Sequence, residues 1–216
     1  MKARAAAFDF DGTLFDSMGI WEGLAEGMLR RRKMTPQPDL RERLAPLSLR
    51  QAAEYLIAHY GLRENAEALM REANDAIEGF YRDEAPLKPG AADFIAALAG
   101  QNIPLCAVTA SDEAHVRLAL ARVGLLSRFS FLLTCTGCAV AKDDPAFYRM
   151  AALRLGVAPQ EMLVFEDAPH AAETARRAGC PVVGVYDRFS ARGLERLSAV
   201  TEKIIVSFDE MNGTLL

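Results

Sequence analysis

Short apolar runs without polar alternation recur along this chain, at Ala5 to Phe8, Leu105 to Val108 and Met162 to Phe165, and nothing else in it constrains the fold as much. A strand with one face in water alternates apolar and polar residues. A continuous run of four or five apolar residues belongs to a strand covered on both faces, as in a parallel sheet between helices. From Pro89-Gly90 onward the text between such runs has helical spacing. It predicts helix 91–100, strand 103–109, helix 112–123, strand 129–134, helix 144–155, strand 161–165, helix 170–178, strand 181–186 and a last strand near Ile204 to Val206. This alternation predicts a doubly wound (Rossmann-like) α/β parallel sheet.

The stretch from Ser17 to Asp83 reads differently. Apolar residues recur at helical spacing, as in Trp21, Leu24, Ala25, Met28 and Leu29, then Ala52, Ala53, Leu56 and Ile57, then Ala66, Leu69, Met70, Ala73, Ile77 and Phe80. Breaks at Thr35-Pro36-Gln37-Pro38, Ala45-Pro46 and Gly61 divide it into about four helices. The expected organisation is an α/β core of residues 1–16 and 84–216 interrupted by an all-helical domain of residues 17–83. At 216 residues and 51% hydrophobic content, the chain can bury a full core.

A formal charge of −4 argues against a nucleic-acid or anionic-membrane partner, since both demand a concentrated basic face. The one basic cluster, Arg30-Arg31-Arg32-Lys33, reads as a solvated helix C-terminus favoured by the helix dipole. No apolar run approaches the roughly 18 residues that span a bilayer. Asp9 cuts the N-terminal apolar stretch too short for a signal peptide, so a cytoplasmic monomer is expected.

In a doubly wound sheet, chemistry belongs at the carboxyl ends of the strands. Four such ends carry polar groups of matching purpose. The first ends in Asp9-Phe10-Asp11-Gly12-Thr13, where residues i and i+2 of a strand project together, converging Asp9 and Asp11 while Phe8 and Phe10 face the core. The second ends in Thr109-Ala110-Ser111, whose hydroxyl and following N–H groups form an anion cradle. After the third comes Lys142, before Asp143-Asp144-Pro145. The fourth ends in Glu166-Asp167. Each has a plainer reading, as turn acid, helix cap, surface lysine or first-turn acid. Their joint placement on one sheet edge favours chemistry.

The chemistry these types serve is phosphoryl transfer. A carboxylate approaching a phosphate dianion is repelled unless cations and hydrogen-bond donors offset the charge. Asp9, Asp167 and Glu166 offer hard oxygen ligands suited to Mg²⁺. Lys142 would neutralise the transferring group, and Thr109 would orient it. Two close acids can divide the labour between attack and proton donation.

On these motifs the chain resembles the haloacid dehalogenase-like superfamily, in the subgroup of β-phosphoglucomutase and phosphoglycolate phosphatase. Its four motifs map onto Asp9-Phe10-Asp11-Gly12-Thr13, Thr109, Lys142 and Glu166-Asp167. Linking text agrees at Leu14-Phe15-Asp16-Ser17, Lys88-Pro89-Gly90, Lys142-x-x-Pro145 with Tyr148, and Ala178-Gly179. The resemblance implies a covalent aspartyl-phosphate on Asp9, with Asp11 as general acid and then base. It also implies Mg²⁺ held by Asp9, the Asp11 main-chain carbonyl and Asp167, with Glu166 a further candidate. The phosphate site would be Gly12, Thr13, Thr109, Ala110, Ser111 and Lys142. The helical insertion resembles a cap that closes over the site and excludes water. The expected activity is Mg²⁺-dependent hydrolysis of a small phosphorylated metabolite; the alternatives are a phosphomutase of the same chemistry and an idle binding protein that keeps the fold.

Departures from the family pattern bear on substrate choice. In the cap segment Leu44 to Arg50, Pro46 stands where a glycine is usual and Leu49 where the mutase has arginine. Arg50 reads either as a substrate contact or as an exposed helix-start arginine. Ala168 replaces a usual serine and Ala171 a usual glycine, which affects contacts behind the ligands rather than the ligands themselves. Cys106 and Cys180 read as core. Cys135 and Cys138 have C-x-x-C spacing but no second pair, so free thiols are expected. His59 and His115 read as structural or exposed, His170 as a solvent-facing helix-start residue, and Trp21 as core of the helical insertion.

Overall fold

The computed structural model describes residues 3–44 and 47–211. In chain order its elements are β1 (Ala5–Phe8), α1 (Gly19–Arg31), α2 (Leu40–Leu44), α3 (Leu49–Tyr60), α4 (Ala66–Asp83), α5 (Ala91–Gly100), β2 (Leu105–Thr109), α6 (Glu113–Arg122), β3 (Phe131–Thr134), α7 (Cys135–Cys138), α8 (Pro145–Leu155), β4 (Met162–Glu166), α9 (Pro169–Ala178), β5 (Val182–Val185), α10 (Leu194–Val200) and β6 (Lys203–Ile205). Two compact units result. One is residues 1–17 with 85–216, and the other is Met18–Glu84.

In the first unit six strands form one sheet in the order β3-β2-β1-β4-β5-β6, every neighbouring pair parallel. The chain builds outward from β1 to β3 on one side and from β4 to β6 on the other. The strand order therefore reverses at β1, and the crevice of the sheet opens at the carboxyl ends of β1, β2 and β4. All residues of β1, β2, β4 and β5 are buried, which is why these runs lack alternation.

The two faces of β1 differ in size. Ala5 and Ala7 lie in one cluster with Cys106, Val108, Val164, Tyr148, Ala151 and Ala172, where small strand residues admit the helices α8 and α9. Phe8 belongs to an aromatic cluster: its ring stacks on Phe165 at 4.6 Å between centroids and meets Phe94, Phe129 and Phe208 edge-on or tilted. Burial of one such ring contributes about 2–3 kcal/mol. Truncation to alanine costs about 3–5 kcal/mol.

The expectation that Asp9 and Asp11 project together from a strand needs correction. β1 stops at Phe8, and only the Asp9 N–H, donating to the Phe165 carbonyl at 2.9 Å, continues the ladder. A turn then begins: the Leu14 and Phe15 N–H groups donate to the Phe10 carbonyl, and Gly12 N–H to the Phe15 carbonyl. Phe10 packs against Phe15, at 4.6 Å, rather than joining Phe8. Asp11 is thus placed by the turn and not by strand alternation.

Every regular element among the described residues of the second unit is a helix. Met28, Leu29, Leu40, Ala53, Leu56, Leu69 and Ala73 form its core. Its ends are set locally. Ser48 and Gln51 make a reciprocal capping box on α3, Gly61 closes that helix at φ 63°, and Asn65 caps α4 through the Ala68 N–H. Trp21, expected in this core, is 46% exposed, because it sits in the first turn of α1, ahead of the packed stretch that begins at Leu24. In the basic cluster Arg31 is exposed in the last turn of α1, as expected, while Arg32 just beyond it is half-buried. Both bind Glu72, and Arg32 also binds Glu64. Pro46, of the cap segment, lies outside the described residues.

Candidate active site

Three loops at the carboxyl edge of the sheet converge at the end of β1. Asp9 follows β1, Lys142 lies in the loop between α7 and α8, Glu166 ends β4 and Asp167 follows it. Carboxylate oxygens of Asp9, Glu166 and Asp167 lie within 4.8 Å of one another, and all three residues are buried. Lys142 Nζ donates to Asp9 Oδ1 and, at 2.8 Å, to Glu166 Oε2.

Each acid is fixed differently. Glu166 is fully buried; its Oε2 accepts from Lys142 and from the Tyr148 hydroxyl at 3.3 Å, and its Oε1 from the Ala168 N–H at 3.1 Å. Asp167 Oδ1 accepts from the Thr13 hydroxyl at 3.1 Å, and its Oδ2 from the Ser190 hydroxyl at 2.6 Å. Asp11 stands apart from the cluster, its two oxygens accepting from Ser17 and Ser111.

Electrostatics follow from burial. Loss of water pushes the Glu166 carboxyl up to about 8, and the Asp9 charge adds to the effect. Asp167 is pushed up to about 7 for the same two reasons, in the same order. Burial also works against the Lys142 ammonium, but the Asp9 and Glu166 carboxylates outweigh it and hold the group protonated well above the usual lysine range. Three acids therefore share one lysine. A divalent cation would offset the excess, and an all-oxygen donor set is the kind Mg²⁺ takes. The residues present fit that ion.

Gly12 is required twice over. Its φ is +81°, and a Cβ at this position would lie 2.7 Å from Asp167 Oδ2. The turn after β1 and the acid after β4 pack too closely for any side chain.

Several predicted site residues have partners other than those expected. Thr13, read as a phosphate contact, is fully buried with its hydroxyl on Asp167. The Ser111 N–H, read as part of an anion cradle, donates instead to Thr109 Oγ1 at 3.0 Å, because the turn at 109–111 closes on itself. Ala110 beside it is exposed. Arg50 pairs with Glu67 within the helical unit at 2.9 Å. Glu166 Oε2 accepts from Lys142 and holds that lysine, and its carboxylate also lies among the three oxygen donors within reach of one ion. Ser17 and Ser190 were not among the predicted site residues. Ala168 has no hydroxyl, and Thr13 and Ser190 supply two to Asp167 from other loops. All four cysteines are free, with Cys106 and Cys180 buried. His170 is exposed, and no helix among the described residues is long and apolar enough to cross a membrane.

Similarity to known proteins agrees with this geometry. A family model described as haloacid dehalogenase-like hydrolase matches residues 3–179. Hexitol phosphatase A of Escherichia coli (strain K12) is 30% identical over 187 residues, covering 86% of this chain and 84% of that protein. Phosphoglycolate phosphatase of Yersinia pseudotuberculosis is 27% identical over 189 residues, covering 84% and 80%. Among solved structures, β-phosphoglucomutase of Clostridium difficile superposes with a TM-score of 0.69 at 19% identity, over 98% of this chain and 94% of that one, which is an agreement of fold.

Proposed function

The chain belongs to the haloacid dehalogenase-like hydrolase family and is a phosphoric monoester hydrolase, and we propose that it transfers the phosphoryl group of a small phosphorylated metabolite first to Asp9 and then to water. The observation that carries this reading is the buried convergence of Asp9, Lys142, Glu166 and Asp167. Asp9 attacks phosphorus as the bond to the leaving oxygen breaks, and Asp11 gives that oxygen its proton. Asp11 then takes a proton from water, whose oxygen attacks the aspartyl-phosphate, releasing phosphate and restoring Asp9. Serine hydroxyls both donate and accept, so Ser17 and Ser111 suit Asp11 in either protonation state.

Lys142 keeps a positive charge against Asp9 and the incoming phosphate, and Glu166 holds Lys142 there. Asp9 and Asp167, with the Asp11 main-chain carbonyl, would hold Mg²⁺. Bound there, the ion would offset the negative charge of the carboxylates and the phosphate dianion. Chemistry in this account resides in the α/β unit, while the helical unit acts as the cap that selects the substrate. The protein is taken to work as a cytoplasmic monomer.

The test is phosphate release from a panel of phosphorylated metabolites, with Mg²⁺ and with EDTA, for the native chain and Asp9→Asn. Release that depends on Mg²⁺ and disappears in the variant is expected. Release that persists in Asp9→Asn, after deamidation back to aspartate is ruled out, would overturn the reading.

A further inference from the structure

Outside the residues assigned to chemistry, the α/β unit buries a second charged pair. Lys88 is 8% exposed and Asp187 2%. Lys88 Nζ donates to Asp187 Oδ2 at 2.6 Å and to the Tyr186 carbonyl at 3.3 Å, with Asp16 Oδ1 at 3.8 Å. Burying two charges costs desolvation that their attraction does not always recover, and well-packed apolar residues often serve stability as well. The placement of this pair suggests another role.

Asp187 follows the carboxyl end of β5 and shapes the turn beyond it. Its Oδ1 accepts from the Phe189 N–H at 2.8 Å and its carbonyl from the Ser190 N–H at 3.1 Å. Ser190 closes that turn, and its hydroxyl donates to Asp167 Oδ2 at 2.6 Å. Lys88 in turn is tied to the first loop, since its N–H donates to the Leu14 carbonyl at 2.8 Å. A continuous chain of contacts thus runs from Lys88 through Asp187 and the 187–190 turn to Asp167.

We propose that the Lys88–Asp187 pair is a positioning device for Asp167, setting through Ser190 the orientation in which that carboxylate meets a divalent cation. The inference rests on the reading of Asp167 as a Mg²⁺ ligand. Groups that orient a ligand typically change metal affinity by about 10–100-fold when removed. Thr13 fixes only Oδ1, so loss of Ser190 leaves Oδ2 without its orienting donor.

The test measures Mg²⁺ binding by titration calorimetry on the full chain without substrate, alongside melting curves. Ser190→Ala and Asp187→Asn should each weaken binding about 10-fold, and the two together no more than either alone, because they act in series. Should Asp187→Asn fail to fold with Lys88 left unpaired, the charge-free Lys88→Met/Asp187→Asn variant replaces it. Dissociation constants within twofold of the native value in the folded variants, or losses that add, would overturn the proposal. Asp167→Asn separates the two levels. If it leaves Mg²⁺ binding intact, the metal reading itself fails; if it weakens binding while Ser190→Ala and Asp187→Asn do not, only the positioning role fails.

Discussion

Lys142 Nζ stands 2.8 Å from Oε2 of Glu166, a carboxylate with no exposure to solvent, and donates at the same time to Asp9. Through this bridge the end of β4 holds the one lysine of the cluster against the end of β1. Lys142→Met should lower kcat/KM by about 10²–10³, the scale for removing one charged donor from a developing anion. Steady-state kinetics check it; a loss smaller than tenfold would remove Lys142 from the mechanism.

Gly12→Ala should fail in two ways. The left-handed backbone costs about 1–2 kcal/mol with a Cβ present, and the added carbon would have to displace Asp167. A lower melting temperature together with weakened Mg²⁺ binding is the expected pair of results. A stability loss alone, with binding unchanged, would mean that Asp167 does not need its present position.

Ser111→Ala removes one of the two serines that hold Asp11. If Asp11 protonates the leaving oxygen, the rate should fall about tenfold with an alkyl phosphate, a fraction of the usual general-acid contribution. It should change less with p-nitrophenyl phosphate, whose leaving group needs no proton. Equal losses on both substrates would speak against the general-acid role.

In the helical unit, hydrogen bonding from Arg32 outweighs burial and holds the Glu72 carboxyl below its ordinary range, with Arg31 adding to the effect. Because the folded value is depressed, the stabilisation is present above the unfolded value near 4.5 and is lost as pH falls through the folded value. Urea unfolding of the native chain and Glu72→Gln should differ by about 1 kcal/mol at pH 7, and the gap should close below pH 4.5. A gap that stays constant with pH would assign the effect to packing.

The strand-end residues were readable in the sequence because a parallel sheet brings every strand's carboxyl end to one edge. Asp9, Lys142 and Glu166-Asp167 could therefore be grouped without knowing any distance. Ser190 could not: a lone serine has no signature, and its partner Asp167 lies 23 residues earlier, with α9 and β5 between them. Thr13 and Ser111 were legible as neighbours of the site, but a hydroxyl in a turn has several acceptors within reach, and only the folded turn selects one. Trp21 shows the same limit in a helix. Its spacing matches Leu24 and Met28, yet periodicity gives a face and not the length over which that face is covered.

If Asp9 carries the phosphoryl group, the acyl-phosphate on it can be trapped. Rapid acid quench of the native chain turning over a ³²P-labelled substrate should give protein-bound label that hydroxylamine releases and that maps to Asp9, with none in Asp9→Asn. Turnover of the native chain with no label on the protein at the shortest times, or label mapped to another residue, would rule out Asp9 as the nucleophile.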